Sequence, residues 1–132
     1  MNEKRLLNSN ELEDSAVVAN CSMNRERDLL GSNGYDIELG FDPLEWLQSR
    51  LAKQTIVRWL DLCCGSGKAL IHAARSSGEH ESRSIKITGI DLVGMFLPNC
   101  SDWLELVRCS VFEFAPTEQY DLITCVHGLH YV

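Results

Sequence analysis

The order of polar and apolar positions separates a polar beginning from a more apolar remainder. Residues 1–15, MNEKRLLNSNELEDS, are rich in Asn, Ser and Glu and lack periodicity, which is typical of a mobile terminus. The segment Ala16–Leu30 contains enough apolar residues to predict a short helix that packs on a neighbour, and the turn-forming sequence GSNG follows it. We therefore expect a mobile N-terminus and a first helix before the main domain.

A second helix is predicted over residues 43–53. Asp42 can cap its N-terminus, and Pro43 suits the first helical position. Glu45 completes a capping-box-like start, and three leucines recur at helical spacing: Leu44, Leu47 and Leu51. The region 16–54 is thus predicted to be a helical N-terminal unit, with Tyr35, Phe41 and Trp46 as candidate pocket-lining or core residues.

Four short apolar runs, rich in β-branched residues, predict strands over 56–62, 84–91, 104–109 and 120–126. Between the first two lies GSGKALIHAARSSG, which begins with glycines, has apolar residues at helical spacing and ends at Gly78. A strand, a helix and a strand in succession form a βαβ unit and imply parallel strands.

The fold class predicted from this order is α/β. We expect a partial, doubly wound, Rossmann-like parallel sheet of about four strands in the order 3-2-1-4, with N-terminal helices, over residues 55–132. The second connection, 92–103, contains Pro98 and leaves room for at most two helical turns. The third, from Ser110 to Gln119, has no helical pattern, although ten extended residues reach about 33 Å and can cross the sheet.

Composition and net charge limit the classes of binding partner that the chain is expected to have. The 132 residues suit one domain, and 45% hydrophobic residues are enough for a core. A net charge of −7 has the wrong sign for general attraction to nucleic acid or anionic lipid. The polar N-terminus does not resemble a secretory signal, and no apolar run approaches the roughly 20 residues that span a bilayer. We expect a cytoplasmic protein without a membrane partner.

The six cysteines at 21, 63, 64, 100, 109 and 125 are predicted to be reduced, packed thiols, because no secretory signal accompanies them. A metal site is not expected. The adjacent pair Cys63 and Cys64 cannot easily direct both sulfurs to one ion from a strand end.

The glycine-rich stretch RWLDLCCGSGKAL, residues 58–70, fails two nucleotide motifs. A phosphate-binding Walker loop would need a glycine at Leu62 and a hydroxyl at Ala69. The dinucleotide fingerprint fits Gly65 and Gly67 but would need its third glycine at Leu70. What remains is a glycine turn between Asp61, near the end of one strand, and Asp91, at the end of the next.

Four segments together resemble the class I S-adenosylmethionine-dependent methyltransferases. WLDLCCGSG is similar to the family's first motif, ITGIDL to the second, LVRCSVFEFAP to the third and YDLITCVHGLHYV to the fourth. The resemblance covers about 57–132 and ends after the fourth strand of a sheet that has seven strands in the family. It implies S-adenosyl-L-methionine as cofactor and the following binding residues: Asp61, Cys63, Gly65, Gly67, Asp91, Leu92, Ser110 and Val111.

The resemblance assigns roles that agree with elementary chemistry. A glycine turn beside a helix N-terminus can bind the zwitterionic methionine end of the cofactor. Asp61 would accept a hydrogen bond from the turn or from the cofactor amino group, and Asp91 would accept the ribose hydroxyls. The alternatives are that Asp61 only caps the turn and that Asp91 is a solvated strand-end acid.

Two positions depart from the family pattern. Cys63 stands where the first of three glycines is usual, which is tolerated if that residue has ordinary strand dihedrals. Ser110 stands where an acid usually binds the adenine amino group, and a neutral acceptor binds about half as strongly as a charged one. His127 and His130 are weak candidates for a catalytic base, and their alternative is a packing or loop role.

The function expected from the resemblance is methyl transfer to a small-molecule acceptor. The alternatives are a truncated, inactive S-adenosylmethionine-binding fragment and a protein-interaction module. An apolar fourth strand, LITCV, would leave an edge for self-association. The sequence does not name the acceptor.

Overall fold

The computed structural model describes residues 26–77, 84–99 and 101–126. Its centre is a four-stranded parallel sheet in the order β3-β2-β1-β4, which confirms the predicted α/β, Rossmann-like partial fold. The elements in chain order are α1 (Tyr35–Leu39), α2 (Pro43–Arg50), β1 (Ile56–Leu62), α3 (Lys68–Ser77), β2 (Ser84–Asp91), β3 (Leu104–Arg108) and β4 (Leu122–Thr124).

The first two strands match their predicted bounds because they are buried along most of their length. β1 and β2 pair in parallel from Ile56↔Ser84 to Leu62↔Ile90. Val57, Trp59 and Ile87 are almost completely inaccessible to solvent. A near-continuous apolar run is what a parallel sheet covered by other elements requires.

Helix α2 begins where the sequence predicts. The Asp42 carboxylate accepts hydrogen bonds from the backbone N–H groups of Leu44 (3.0 Å) and Glu45 (3.4 Å), and Pro43 occupies the first turn. Its buried face carries Leu44 and Leu47, which pack in the common core. The helix ends at Arg50 rather than 53, because residues 51–53 continue as turns.

Helix α3 starts directly after the glycine turn and buries one face. Ala69, Leu70, Ile71 and Ala73 are buried against the sheet, and each large apolar side chain removed from water contributes roughly 1.5–3 kcal/mol. Lys68 is on the solvent side and pairs with Asp28 at 3.0 Å. His72 is also exposed, and His80 lies outside the described residues.

The segment predicted as the end of the first helix has another structure. Residues 16–25 lie outside the described residues, and residues 26–30 are not helical. Instead, the chain folds back on itself, because Tyr35 N–H donates to the Asp28 carbonyl at 2.9 Å and Asp28 N–H donates to the Asn33 carbonyl at 3.1 Å. This turn leads into the short helix α1, which the sequence analysis does not anticipate.

The later elements are shorter than predicted. β3 ends at Arg108, and β4 contains only Leu122–Thr124. Asp121 precedes β4 and is fixed by Arg58, whose N–H donates to the Asp121 carboxylate at 2.8 Å and whose carbonyl accepts from Asp121 N–H at 2.8 Å. Neither the described part of the second connection nor the third connection contains a helix. Among the described residues, no helix has the length and apolar character needed to cross a membrane.

Candidate functional site

The candidate site lies at the carboxyl ends of β1, β2 and β4. From β1 the chain adds β2 and β3 on one side, and it then returns to add β4 on the other side of β1. The order of the strands therefore reverses between β1 and β4. Parallel α/β sheets bind ligands in the crevice at such a reversal. The glycine turn 63–67 leaves β1 at this place and enters α3, so the fold brings the turn and both motif acids together.

Asp61 is completely buried in a network of side chains. Its Oδ2 accepts a hydrogen bond from the Tyr35 hydroxyl at 2.5 Å, and its Oδ1 accepts one from the Thr124 hydroxyl at 2.6 Å. Trp59 Nε1 donates in turn to Thr124 Oγ1 at 2.8 Å. The Tyr35 ring meets the Trp59 ring edge-on, with centroids 6.2 Å apart.

Within residues 26–77, 84–99 and 101–126, the Asp61 carboxyl has no cation among its hydrogen-bond partners. Burial raises its pKa from 3.8 to about 7, opposed by the hydrogen bonds from Thr124 and Tyr35 and reinforced by the charge of Asp91. Burial, then the Asp61 charge, also raises the pKa of the Tyr35 hydroxyl well above its ordinary value. Near neutral pH, Asp61 is therefore poised between its neutral and charged forms.

This network differs from the role that the resemblance implies. Asp61 accepts its hydrogen bonds from Tyr35 and Thr124 rather than from the glycine turn. The physical reason is the register of the sheet: Asp61 is the direct partner of Thr124, so both side chains lie on the same face.

Asp91 holds the glycine turn instead. Its Oδ1 accepts from Gly65 N–H at 3.1 Å, and its Oδ2 accepts from Val93 N–H at 3.1 Å and Gly94 N–H at 3.4 Å. The side chain is buried, so these backbone donors replace water around the carboxylate. Asp91 is thus neither a solvated strand-end acid nor a freely projecting one.

The glycine turn has the backbone geometry that glycine favours at three positions. Gly65 has φ 65° and Gly67 has φ 83°, and Cys63 has φ 59°. The condition on which Cys63 was expected to be tolerated is therefore not met, because the residue is in the left-handed region rather than in strand geometry. An L-residue there costs roughly 1–2 kcal/mol.

The remaining turn contacts fix its position on the sheet. Cys64 N–H donates to the Ile90 carbonyl at 2.9 Å, and the Ser66 carbonyl accepts from Leu97 N–H at 2.9 Å. A Cβ on Gly67 would approach the Leu106 side chain to 2.8 Å, so this glycine also permits close packing. The Ser66 hydroxyl is buried without a hydrogen-bond partner among the described residues.

The third-motif residues lie beside Asp91. Cys109 N–H donates to the Asp91 carbonyl at 3.1 Å, which places Ser110 directly after the paired strand ends. The Ser110 hydroxyl accepts from Phe112 N–H at 3.1 Å, so it caps the next turn and still has a proton to donate. Leu92 and Val111 are half-buried, and the Leu92 carbonyl accepts from Arg108 Nε at 3.3 Å.

The two histidine candidates, His127 and His130, lie outside the described residues. Tyr35 and Thr124 are the functional neighbours that the sequence analysis missed. Tyr35 was a candidate pocket or core residue with no assigned partner, and Thr124 is a polar residue within the apolar run LITCV, which is the one signal that could have singled it out.

The residues that the resemblance assigns to S-adenosylmethionine lie near one another, but the acceptor atoms of Asp91 already have hydrogen-bond donors. The turn, Asp91 and Ser110 occupy one edge of the sheet, as the cofactor requires. A carboxylate offers about four lone-pair sites, and three backbone N–H groups already use Asp91. A ribose hydroxyl bound by Asp91 would therefore have to replace one of these donors.

Comparison with known proteins does not assign the chain to a family. No family model matches the chain, and no curated protein or solved structure matches it.

Proposed function

We propose that this chain binds S-adenosyl-L-methionine at the carboxyl edge of its sheet and serves as the cofactor-binding part of a methyltransferase acting on a small-molecule acceptor. The observation that carries the proposal is the contact between Gly65 N–H and the Asp91 carboxylate at 3.1 Å. It joins the first and second motifs at the carboxyl ends of β1 and β2, beside the reversal point of the sheet. The two motifs are 26 residues apart in the chain.

Each group of site residues would bind a different part of the cofactor. The glycine turn and the N-terminus of α3 suit the carboxylate of the methionine end, because backbone N–H groups and the helix dipole favour negative charge there. Asp91 would accept a ribose hydroxyl in place of Gly94 N–H, whose 3.4 Å contact is the longest of its three. Ser110 would accept a hydrogen bond from the adenine amino group.

The cofactor would supply an electrophilic methyl group on a sulfonium. The chain's part is to orient it, and alignment of donor and acceptor can account for much of the rate of such a displacement. Asp61 would support the site from below by holding the ends of β1 and β4 together through Thr124.

Isothermal titration with S-adenosylmethionine tests the proposal. We expect the wild-type chain to bind and Asp91→Asn to bind at least about tenfold more weakly, a change of about 1.4 kcal/mol. Asp102→Asn is the matched control, because Asp102 is an exposed acid in the turn before β3. Adenosine and methionine, titrated separately, tell which half of the cofactor is recognised.

Circular dichroism of each variant shows whether it is folded, so that lost binding can be assigned to the site. The absence of binding to a folded wild-type chain would overturn the proposal. Equal affinities of wild type and Asp91→Asn would remove Asp91 from the site.

A second candidate function is self-association through β4. Within the described residues, β4 pairs only with β1, and Ile123 on it is 58% exposed. An open strand edge with an apolar side chain favours pairing with a second copy.

Sedimentation velocity compares the wild type with Ile123→Lys. If β4 forms the interface, dimer is lost in this variant but persists in Ile37→Lys, because Ile37 is equally apolar and exposed on α1. A wild-type chain that stays monomeric at high concentration would exclude this candidate.

A further inference from the structure

Two thiols meet at the carboxyl ends of β1 and β4. Cys63 directly follows β1, and Cys125 directly follows β4. Both are half-buried thiols that are not in a disulfide, and a side-chain hydrogen bond links them. They lie 62 positions apart (125 − 63) in the chain, so only the pairing of β1 with β4 brings them together.

The strand register places the two residues at a spacing that a disulfide can bridge. Asp61 is paired with Thr124, so continuing the register puts Cys125 opposite Leu62 and one residue short of Cys63. In ideal strands about 4.8 Å apart with a rise of about 3.3 Å per residue, this diagonal corresponds to a Cα separation of about 5.8 Å. Disulfides join Cα atoms about 4.4–6.8 Å apart.

The left-handed backbone of Cys63 explains why its thiol reaches Cys125. Side chains alternate between the faces of a strand, so an extended Cys63 would lie on the same face as Asp61 and Thr124. Cys125, next to Thr124, lies on the opposite face. The turn at φ 59° breaks the alternation and brings the Cys63 thiol to the Cys125 side.

We propose that Cys63 and Cys125 form a redox-active dithiol, which a low-molecular-weight disulfide such as glutathione disulfide converts to an intramolecular disulfide across the ends of β1 and β4. This site does not depend on S-adenosylmethionine binding. It uses a cysteine at the position where the methyltransferase pattern has glycine.

The reaction proceeds by two thiol–disulfide exchanges. Cys125 loses its proton to solvent and attacks one sulfur of glutathione disulfide, which forms a mixed disulfide and releases one glutathione thiolate. Cys63 then loses its proton and attacks the Cys125 sulfur, which releases the second glutathione thiolate. The two protein thiols lose two electrons, and glutathione disulfide gains them as it becomes two glutathione molecules.

Cys125 is the better first nucleophile of the two. Burial and the charge of Asp61 raise its pKa, and its hydrogen bond with Cys63 opposes that change. Burial, reinforced by the charges of Cys125 and Asp91, by the same hydrogen bond and by Asp61, raises the pKa of Cys63 to about 12. Because thiolates are the attacking species, we expect cross-linking to accelerate as pH rises from 7 to 9.

Oxidation of the full chain in glutathione buffers tests the proposal. After equilibration at pH 8, free thiols are blocked with N-ethylmaleimide, the protein is digested, and peptides are identified by mass spectrometry. We expect a cross-linked peptide pair containing Cys63 and Cys125, lighter by the mass of two hydrogen atoms than the same peptides with these two thiols reduced and with N-ethylmaleimide on their other cysteines.

Matched variants assign the cross-link. Cys64→Ala keeps Cys63 and should retain the cross-link, whereas Cys63→Ser and Cys125→Ser should lose it and leave a mixed disulfide on the remaining thiol. Circular dichroism reports folding, and either serine variant suffices if the other does not fold. A folded wild-type chain that forms no such link in oxidised buffer, or that links Cys125 to Cys64, overturns the proposal.

Discussion

The two acids at the carboxyl edge of the sheet have opposite environments. Asp61, near the end of β1, accepts hydrogen bonds from two side-chain hydroxyls, of Tyr35 and Thr124. Asp91, at the end of β2, accepts from three backbone N–H groups. Both are buried, yet Asp61 is held by side chains and Asp91 by backbone N–H groups of the glycine turn and of its own loop. The same residue type therefore stabilises tertiary packing at one strand end and shapes a loop at the next.

Truncation of the loop-shaping acid has the largest expected effect. Asp91→Ala leaves three backbone N–H groups without their acceptor, and we expect it to lower the free energy of unfolding by about 2–4 kcal/mol. Urea denaturation measures the loss. Asp91→Asn keeps one acceptor oxygen and should lose less. A loss below about 0.5 kcal/mol in the alanine variant would show that the turn does not need this carboxylate.

Neutralisation of Asp61 should raise the free energy of unfolding at alkaline pH, whereas truncation of Asp91 lowers it. The pKa of Asp61 is 3.8 when unperturbed and about 7 in the folded chain. Between these values the folded state holds a proton that the unfolded state has released, so stability falls as pH rises from about 4 to about 7 and then levels. Asp61→Asn removes this charge burial and should raise stability at pH 8 by roughly 1–3 kcal/mol.

Urea midpoints at pH 5 and pH 8 measure that difference. Glu105→Gln, an exposed acid on β3, is the matched control and should keep the wild-type pH dependence. The assignment to Asp61 would be contradicted if the stability of the wild-type chain rose between these two pH values. It would also be contradicted if Asp61→Asn kept the pH dependence of the wild type.

Removal of the Tyr35 hydroxyl should destabilise the charged form of Asp61 more than the neutral form. We expect Tyr35→Phe to cost about 1–2 kcal/mol at pH 8 and less at pH 5, because a charged acceptor gains more from the bond. The double variant Tyr35→Phe/Asp61→Asn completes a cycle by urea denaturation. Strict additivity of the two changes would mean that the 2.5 Å contact contributes nothing to stability.

Relief of the backbone strain at Cys63 should give the smallest effect, which is a gain in stability. Cys63→Gly removes a side chain from a backbone at φ 59° and should stabilise the chain by about 0.5–1 kcal/mol. Cys63→Ala is the control, because it loses the thiol and keeps the strain. Equal melting temperatures of these two variants would show that the left-handed backbone is not strained.

The strongest elements of the fold were predictable from the sequence because they are locally consistent. β1 and β2 are apolar runs whose bounds agree with the structure, and Asp42 with Pro43 specifies the start of α2. The expected contact between the glycine turn and an acid exists, but it is made by Asp91. The sequence predicts the turn at GSNG and a fourth strand, but neither helix α1 nor the shortness of β4. Helix α1 follows backbone hydrogen bonds of Asp28 with Asn33 and Tyr35, and contacts of Asp121 with Arg58, 63 positions earlier, set the start of β4.

The sequence by itself determined the parallel α/β class, the strand order and the meeting of glycine turn and acids at one edge, because hydrophobic periodicity and short connections leave few alternatives. Only the tertiary structure decided what each acid binds. Tyr35 lies 26 positions from Asp61 and Thr124 lies 63 positions from it, and no local pattern encodes such pairs. The register of β1 with β4 selects Thr124 and also brings Cys63 to Cys125, whereas Tyr35 comes from helix α1.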